Sequence, residues 1–231
     1  LTYRITFQAY QRCRRMGAAL HDLQSGDAVI AAQVNSGFNS SSGFWEAFKQ
    51  MFGTAPSKAK NVDILLARWI DTPFGGMLAL ADDQGLHMLE FVDRRALETE
   101  IKRLTEHLGY QVIPGDHPYL DQIELELNAY LAGESDQFTV PLVELGSDFE
   151  KSVWAVLKTI PPGETWSYAD LAKKLGNPNA TRAVGHANGK NSIAIVIPCH
   201  RVIAKSGKIH QYRWGSDRKK AIIGWEAARL A

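Results

Sequence analysis

The sequence predicts an α/β chain of several domains: a helix-turn-helix segment, a small mixed α/β segment, and a mostly helical segment that carries the chemistry. Three observations predict it. Residues 1–53 place apolar side chains at three- and four-residue steps. Residues 62–140 open with short apolar runs separated by turn residues and continue with helical periodicity. Residues 141–231 hold helical runs broken by Pro161-Pro162-Gly163 and Gly176-Asn177-Pro178, and an apolar run ending in Pro198-Cys199-His200. These shifts divide the chain into 1–56, 57–140 and 141–231, a comfortable partition of 231 residues.

In the first segment Phe7, Tyr10, Cys13, Met16, Ala19 and Leu20 mark a helix, with Arg12, Arg14 and Arg15 between them. Gln24-Ser25-Gly26-Asp27 breaks it, and Asp27 is placed to cap a short helix over 28–35. Gly37 follows, then Asn39 to Ser42 as cap candidates for a helix over 43–51 that Gly53 and Pro56 stop. Helix, glycine turn and helix is the helix-turn-helix layout. Residues 54–61 read as a linker.

Strands are predicted over 64–70, 77–81 and 86–92, with turns at 72–76 and 82–85, and helices over 95–108 and 119–131. Nothing in this segment points to chemistry of its own. Further on, helices are predicted over 147–159, 167–175 and 180–189, a second helix–turn–helix order. The run 193–197 reads as a buried strand or loop ahead of Cys199.

Composition narrows the function. A charge of +1, from 26 basic and 25 acidic residues, leaves nucleic-acid binding to local clusters. No apolar run reaches membrane-spanning length and the start lacks a signal peptide. Two cysteines, Cys13 and Cys199, give neither a disulfide framework nor a four-cysteine zinc site, which suits a reducing cytoplasm. Cys13 lies in a helical pattern and reads as structural. Cys199 taken with its neighbours alone is either one more buried cysteine or a thiol activated by His200.

Several blocks decide between these. Phe149 to Trp154, Pro162-Gly163-Glu164-Thr165, Ser167-Tyr168, Arg182-Ala183-Val184-Gly185, Asn191, Pro198-Cys199-His200-Arg201-Val202 and Tyr212-Arg213-Trp214-Gly215 follow one another in a fixed order. From about Val62 to Ala231 the chain thereby resembles the O6-alkylguanine-DNA alkyltransferases, which repair methylated guanine and are consumed in doing so. The Tyr-Arg-Trp-Gly block is most like the bacterial Ada-type members. Val29 to Ala32, Gly37-Phe38, Ser41-Ser42, Phe44, Phe48-Lys49 and Gly53 resemble the second helix-turn-helix of an AraC-type module. The module's first helix-turn-helix and the cysteine-rich zinc domain of Ada-type proteins have no counterpart in these residues.

The resemblance implies a ribonuclease H-like fold for 57–140, a winged-helix-like catalytic domain for 141–231, and a bacterial, cytoplasmic monomer. It implies Cys199 as alkyl acceptor, His200 as its base, Glu226 orienting the imidazole, Asn191 bracing the turn, and Tyr168 donating to guanine N3. Arg182 would fill the stack vacated by a flipped base. Ala183, Gly185, Ala187 and Gly189 would form a small-residue face against the minor groove of duplex DNA. Tyr212, Trp214 and Val202 would form the base pocket. No metal or other cofactor is implied. His210 and Gln211 stand where many relatives have glycine or serine, and extra bulk there would disfavour large O6 adducts. The implied function is suicidal repair of O6-methylguanine. The alternative is an Ada-type regulator or lesion sensor of the alkylation response, although sensors of this fold lack the cysteine that Cys199 supplies.

Overall fold

Residues 7–93, 97–209 and 212–229 are described in the computed structural model of the chain. Phe7–Ser25 forms α1, whose Met16, Ala19, Leu20 and Leu23 recur at helical spacing and are buried. Val29–Asn35 forms α2 and Ser41–Phe52 forms α3. The turn between them needs a left-handed residue, which Gly37 supplies at φ 72°. Ser40 caps α3 by accepting from the Gly43 N–H at 3.2 Å. Asp27 does not cap α2, because the cap position falls one residue later on Ala28, which has no side-chain acceptor. On α3 the residues Phe44, Ala47, Phe48 and Phe52 turn inward, while Ser42, Trp45, Glu46 and Lys49 stay exposed.

The expected linker is instead a packed 3-10 turn, Pro56–Asn61. Ala59 is buried, and Gln24 Nε2 donates to the carbonyls of Ala59 and Val62 at 3.3 and 2.7 Å. A proline start and the absence of helical period made this stretch look loose.

Four strands form one sheet in the order β3-β2-β1-β4. They are β1 (Ile64–Ile70), β2 (Met77–Asp82), β3 (Gly85–Phe91) and β4 (Gln111–Pro114). β1–β2 and β2–β3 are antiparallel, and β4 runs parallel to β1. Gly85 turns the β2–β3 hairpin at φ 145°, with a Cβ there only 2.4 Å from the Pro141 carbonyl, so the close approach requires glycine. The predicted 95–108 helix is α4 (Leu97–Lys102) continuing as a π turn over Arg103–His107, and α5 is Pro118–Ala132. Leu120, Ile123, Leu127 and Tyr130 of α5 are buried in the main core with Met77, Ala79, Leu89 and Phe91 of the sheet.

The first segment and the sheet share a core. Met16, Leu20 and Phe48 cluster with Val62 and Ile113, and Gly17 lets α1 cross β4 where a Cβ would lie 2.7 Å from Ile113 Cδ1. Arg14 pairs with Asp116, which Arg68 also holds at 3.1 Å, while Arg68 reaches Asp121 at 2.5 Å. Removing the first segment therefore uncovers part of a shared core. Uncovering Val62 and Ile113 costs about 1.5–3 kcal/mol per side chain. A 62–231 fragment is expected to melt at least ~6 °C below the full chain. An unchanged melting temperature would show that the shared core contributes nothing.

The third segment contains α6 (Asp148–Leu157), β5 (Trp166–Ser167), α7 (Tyr168–Lys174), α8 (Thr181–Gly189), β6 (Val202–Ile203) and α9 (Ser216–Arg229). Capping boxes start α6 at Ser147–Glu150 and α7 at Ser167–Asp170. The 193–197 run is a turn, laid against β3 by Ala194 N–H to the Leu89 carbonyl at 2.8 Å and Leu89 N–H to the Ser192 carbonyl at 2.9 Å. Among the described residues no helix is long and apolar enough to cross a membrane.

Candidate active site

Cys199 begins a 3-10 turn, Cys199–Arg201, directly after the apolar run and is 2 % exposed. The run positions it by force of packing: Ile193 to Ile197 are buried, and Ile195 takes φ 69°. A β-branched residue at positive φ costs on the order of 1–3 kcal/mol and persists only where its surroundings fix it. Asn191 does the fixing. Its Nδ2 donates to the Ile197 carbonyl at 2.9 Å and to Cys199 Sγ at 3.2 Å, and its Oδ1 accepts from Ile193 N–H at 2.9 Å.

His200 Nε2 lies 3.0 Å from Glu226 Oε1 on α9. The carboxylate also accepts Tyr130 OH at 2.6 Å and Arg201 Nη2 at 2.7 Å, while Arg201 Nη1 donates to the Ile160 carbonyl at 2.6 Å. A carboxylate acceptor requires Nε2 to carry the ring proton, which leaves Nδ1 as the basic nitrogen. Burial pushes the His200 pKa down against the pull of Glu226, and burial pushes the Cys199 thiol up against Asn191, Lys219 and Arg213. The resting pair is a neutral imidazole and a thiol. An ion pair in such a dry site would carry a large desolvation cost.

Two phenols face the sulfur. Burial and then Cys199 push the pKa of Tyr168, at the start of α7, upward. The same two causes hold Tyr212 well above its ordinary value, so both are neutral donors. Lys219 on α9 is 1 % exposed; its Nζ donates to the Val202 carbonyl and lies 5.4 Å from the Tyr212 ring.

A cavity of about 820 Å³ opens beside this group, bordered by Gly185, His186 and Gly189 of α8 and by Ile209, Tyr212 and Arg213. Tyr212 lines the cavity and also neighbours the sulfur. Trp214 and Val202 stand behind the wall: Trp214 packs edge-on to Tyr212 at 5.1 Å, and Val202 is buried and pairs with Trp166. His210 and Gln211 lie outside the described residues. On α8, Arg182, Ala183 and Gly189 are exposed and Gly185 half-exposed, with the Tyr168 ring 3.7 Å from where its Cβ would be. Ala187 is not on that outer face. It is buried, and its carbonyl accepts Trp154 Nε1 at 2.9 Å.

Sequence reasoning gave no role to four groups here: Tyr130, Lys219, and Arg201 and Arg213, the last two lying inside the blocks that carry the resemblance. The α/β segment, read as chemically silent, supplies Tyr130 to the Glu226 carboxylate. The available signal was a tyrosine on the buried face of an amphipathic helix, whose hydroxyl must find a partner.

Comparison with known proteins follows the same division. The family model for the ribonuclease-like domain of 6-O-methylguanine DNA methyltransferase matches residues 65–143, and that for its DNA-binding domain matches 148–228. A methylated-DNA–protein-cysteine methyltransferase of Methanosarcina acetivorans is 38 % identical over 159 residues, covering 68 % of this chain and 96 % of that one. The chain belongs to this methyltransferase family. The family's member in Mycolicibacterium paratuberculosis is 42 % identical over 159 residues, 69 % of this chain and 90 % of its own. The crystal structure of Mycobacterium tuberculosis O6-methylguanine methyltransferase superposes with a TM-score of 0.62 at 38 % identity, over 71 % of this chain and 94 % of that one. A structure of the M. tuberculosis protein in complex with DNA gives 0.61 at 39 %, over 71 % and 93 %. Residues 2–61, which precede the region shared with the family, match a helix-turn-helix domain model.

Proposed function

We propose that the chain is a single-use DNA repair protein that transfers the alkyl group of O6-methylguanine to Cys199. The observation that carries this reading is the buried thiol held at 3.2 Å by Asn191, with His200 oriented at 3.0 Å by Glu226. His200 Nδ1 takes the thiol proton, through a water. Sulfur attacks the methyl carbon, the S–C bond forms as the C–O6 bond breaks, and the electron pair passes into the guanine ring. Tyr168 donates to N3, where charge develops. Lys219 and the Tyr212 hydroxyl stabilise the sulfur's negative charge before attack.

The methyl carbon is unreachable inside a duplex, so the base is flipped out at a cost of a few kcal/mol. Arg182 fills the gap, and the small residues Ala183, Gly185 and Gly189 let α8 enter the minor groove closely. The protein acts as a monomer, with 57–140 ribonuclease H-like and 141–231 winged-helix-like. The outer face of α3, with Lys49 among its residues, adds phosphate contacts of low specificity. The thiol's presence favours transfer over lesion sensing.

Arg182→Ala is expected to slow transfer from methylated duplex about 10- to 100-fold, a few kcal/mol of lost extrusion. Transfer from free O6-methylguanine should be spared, because no base is extruded. Radiolabelled methyl transfer to protein, scored on both substrates, makes the comparison. Equal loss on both would mean that Arg182 supports the fold instead.

A further inference from the structure

The Arg213 guanidinium joins three segments remote in sequence. Nη1 donates to the carbonyls of Gly189, at the end of α8, and Asn191, at 3.2 and 3.0 Å. Nη2 lies 2.5 Å from Glu100 Oε1 on α4 and 3.3 Å from Glu90 Oε1 on β3. The arginine side chain is 10 % exposed and that of Glu90 is 0 %. Packing alone does not call for this arrangement, since apolar side chains of similar volume fill such space without the desolvation cost of buried charges. A planar fork with fixed donor directions, however, sets the relative position of everything it binds. What it binds is the exit of α8 and the main chain of the residue whose side chain contacts Cys199 Sγ.

We propose that Arg213 is a positioning residue for alkyl transfer, holding the end of α8 and the Asn191 turn in register with Cys199 against the sheet carboxylates Glu90 and Glu100. The inference rests on Cys199 being the alkyl acceptor. Through it the sheet domain takes part in the reaction at a second point besides Tyr130. Its position on the cavity wall also brings a fixed positive charge to the sulfur's surroundings. The other polar and titratable groups around the sulfur are Asn191 after α8, Lys219 on α9, Tyr212 in the preceding loop and Tyr168 on α7, with His200 the next residue in the chain.

The test compares the full chain with Arg213→Met, Arg213→Lys and Glu100→Gln. Two readouts are taken: single-turnover transfer from methylated duplex, and the pH profile of Cys199 alkylation by iodoacetamide, which needs no DNA. Arg213→Met is expected to slow duplex transfer about 10- to 100-fold, the scale of a roughly 1 Å misplacement, and to move the alkylation profile to higher pH. Arg213→Lys keeps the charge, so its profile should stay near that of the parent while duplex transfer remains slow. A folded Arg213→Met with parental rate and profile overturns the proposal. So does full recovery of duplex transfer in Arg213→Lys, because an ammonium group cannot span both carbonyls and both carboxylates. If Arg213→Met fails to fold, Glu100→Gln decides: slowed duplex transfer supports the anchor, and parental transfer removes it. A parent chain that iodoacetamide alkylates but methylated duplex does not would sink the repair reading, while the alkylation profiles would still judge Arg213.

Discussion

Replacing Glu226 with glutamine is expected to slow methyl transfer by about 10²–10⁴-fold, the range for a disabled general base. It should also cost about 3–5 kcal/mol of stability, since it breaks a buried ion pair from one side. The carboxylate orients His200, holds Arg201 and accepts from Tyr130, so one substitution disturbs three buried groups. Glutamine retains the shape but offers an N–H to partners that are themselves donors, and Arg201 keeps its charge without a counterion. Chemical denaturation and single-turnover kinetics give the two quantities. Parental values for both would show that the Glu226 network is idle.

The same carboxylate shapes the acid limb of stability. Burial pushes its pKa up, but the His200 and Arg201 bonds prevail and hold it well below the ordinary 4.5. Stability from a depressed carboxyl is present above the unfolded value and is lost as pH falls through the folded one. His200 adds an earlier stage. Its pKa is lowered from the ordinary 6.5, chiefly by burial, so the unfolded chain takes up a proton that the folded chain refuses. Acidification should therefore weaken the protein first below about 6.5 and again below about 4.5. In denaturant titrations across pH, Glu226→Gln should shrink the second stage, to which Asp82, Glu126 and Glu150, also held below their ordinary values by hydrogen bonds, still contribute.

Local pattern made most helices and three of the four main strands legible, because their periodicity survives in the chain. β4 was not: Gln111–Pro114 is four residues long, ends in proline and pairs with a strand some 47 positions earlier, as Ile64 with Gln111. Nor was the 193–197 turn, since apolar residues without alternation suit a strand or a buried loop equally. Cys199, His200 and Asn191 were singled out through the blocks that carry the family resemblance, and Asn191 does lie against Cys199. Tyr130, Glu90, Glu100 and Arg213 were not, because their roles arise where the sheet segment meets the helical one, and no local spacing encodes that junction. An acid inside the apolar run Leu86–Phe91 was the trace it left, for a buried carboxylate demands a cation.

Peptide mass mapping decides whether Cys199 is the alkyl acceptor. Cys13 is half-buried on α1, within the first segment and away from the His200–Glu226 network. After incubation with duplex DNA containing O6-methylguanine, one added methyl per chain is expected, on the peptide that holds Cys199, and no transfer to Cys199→Ala. Methyl on Cys13, or transfer that persists in Cys199→Ala, would contradict it.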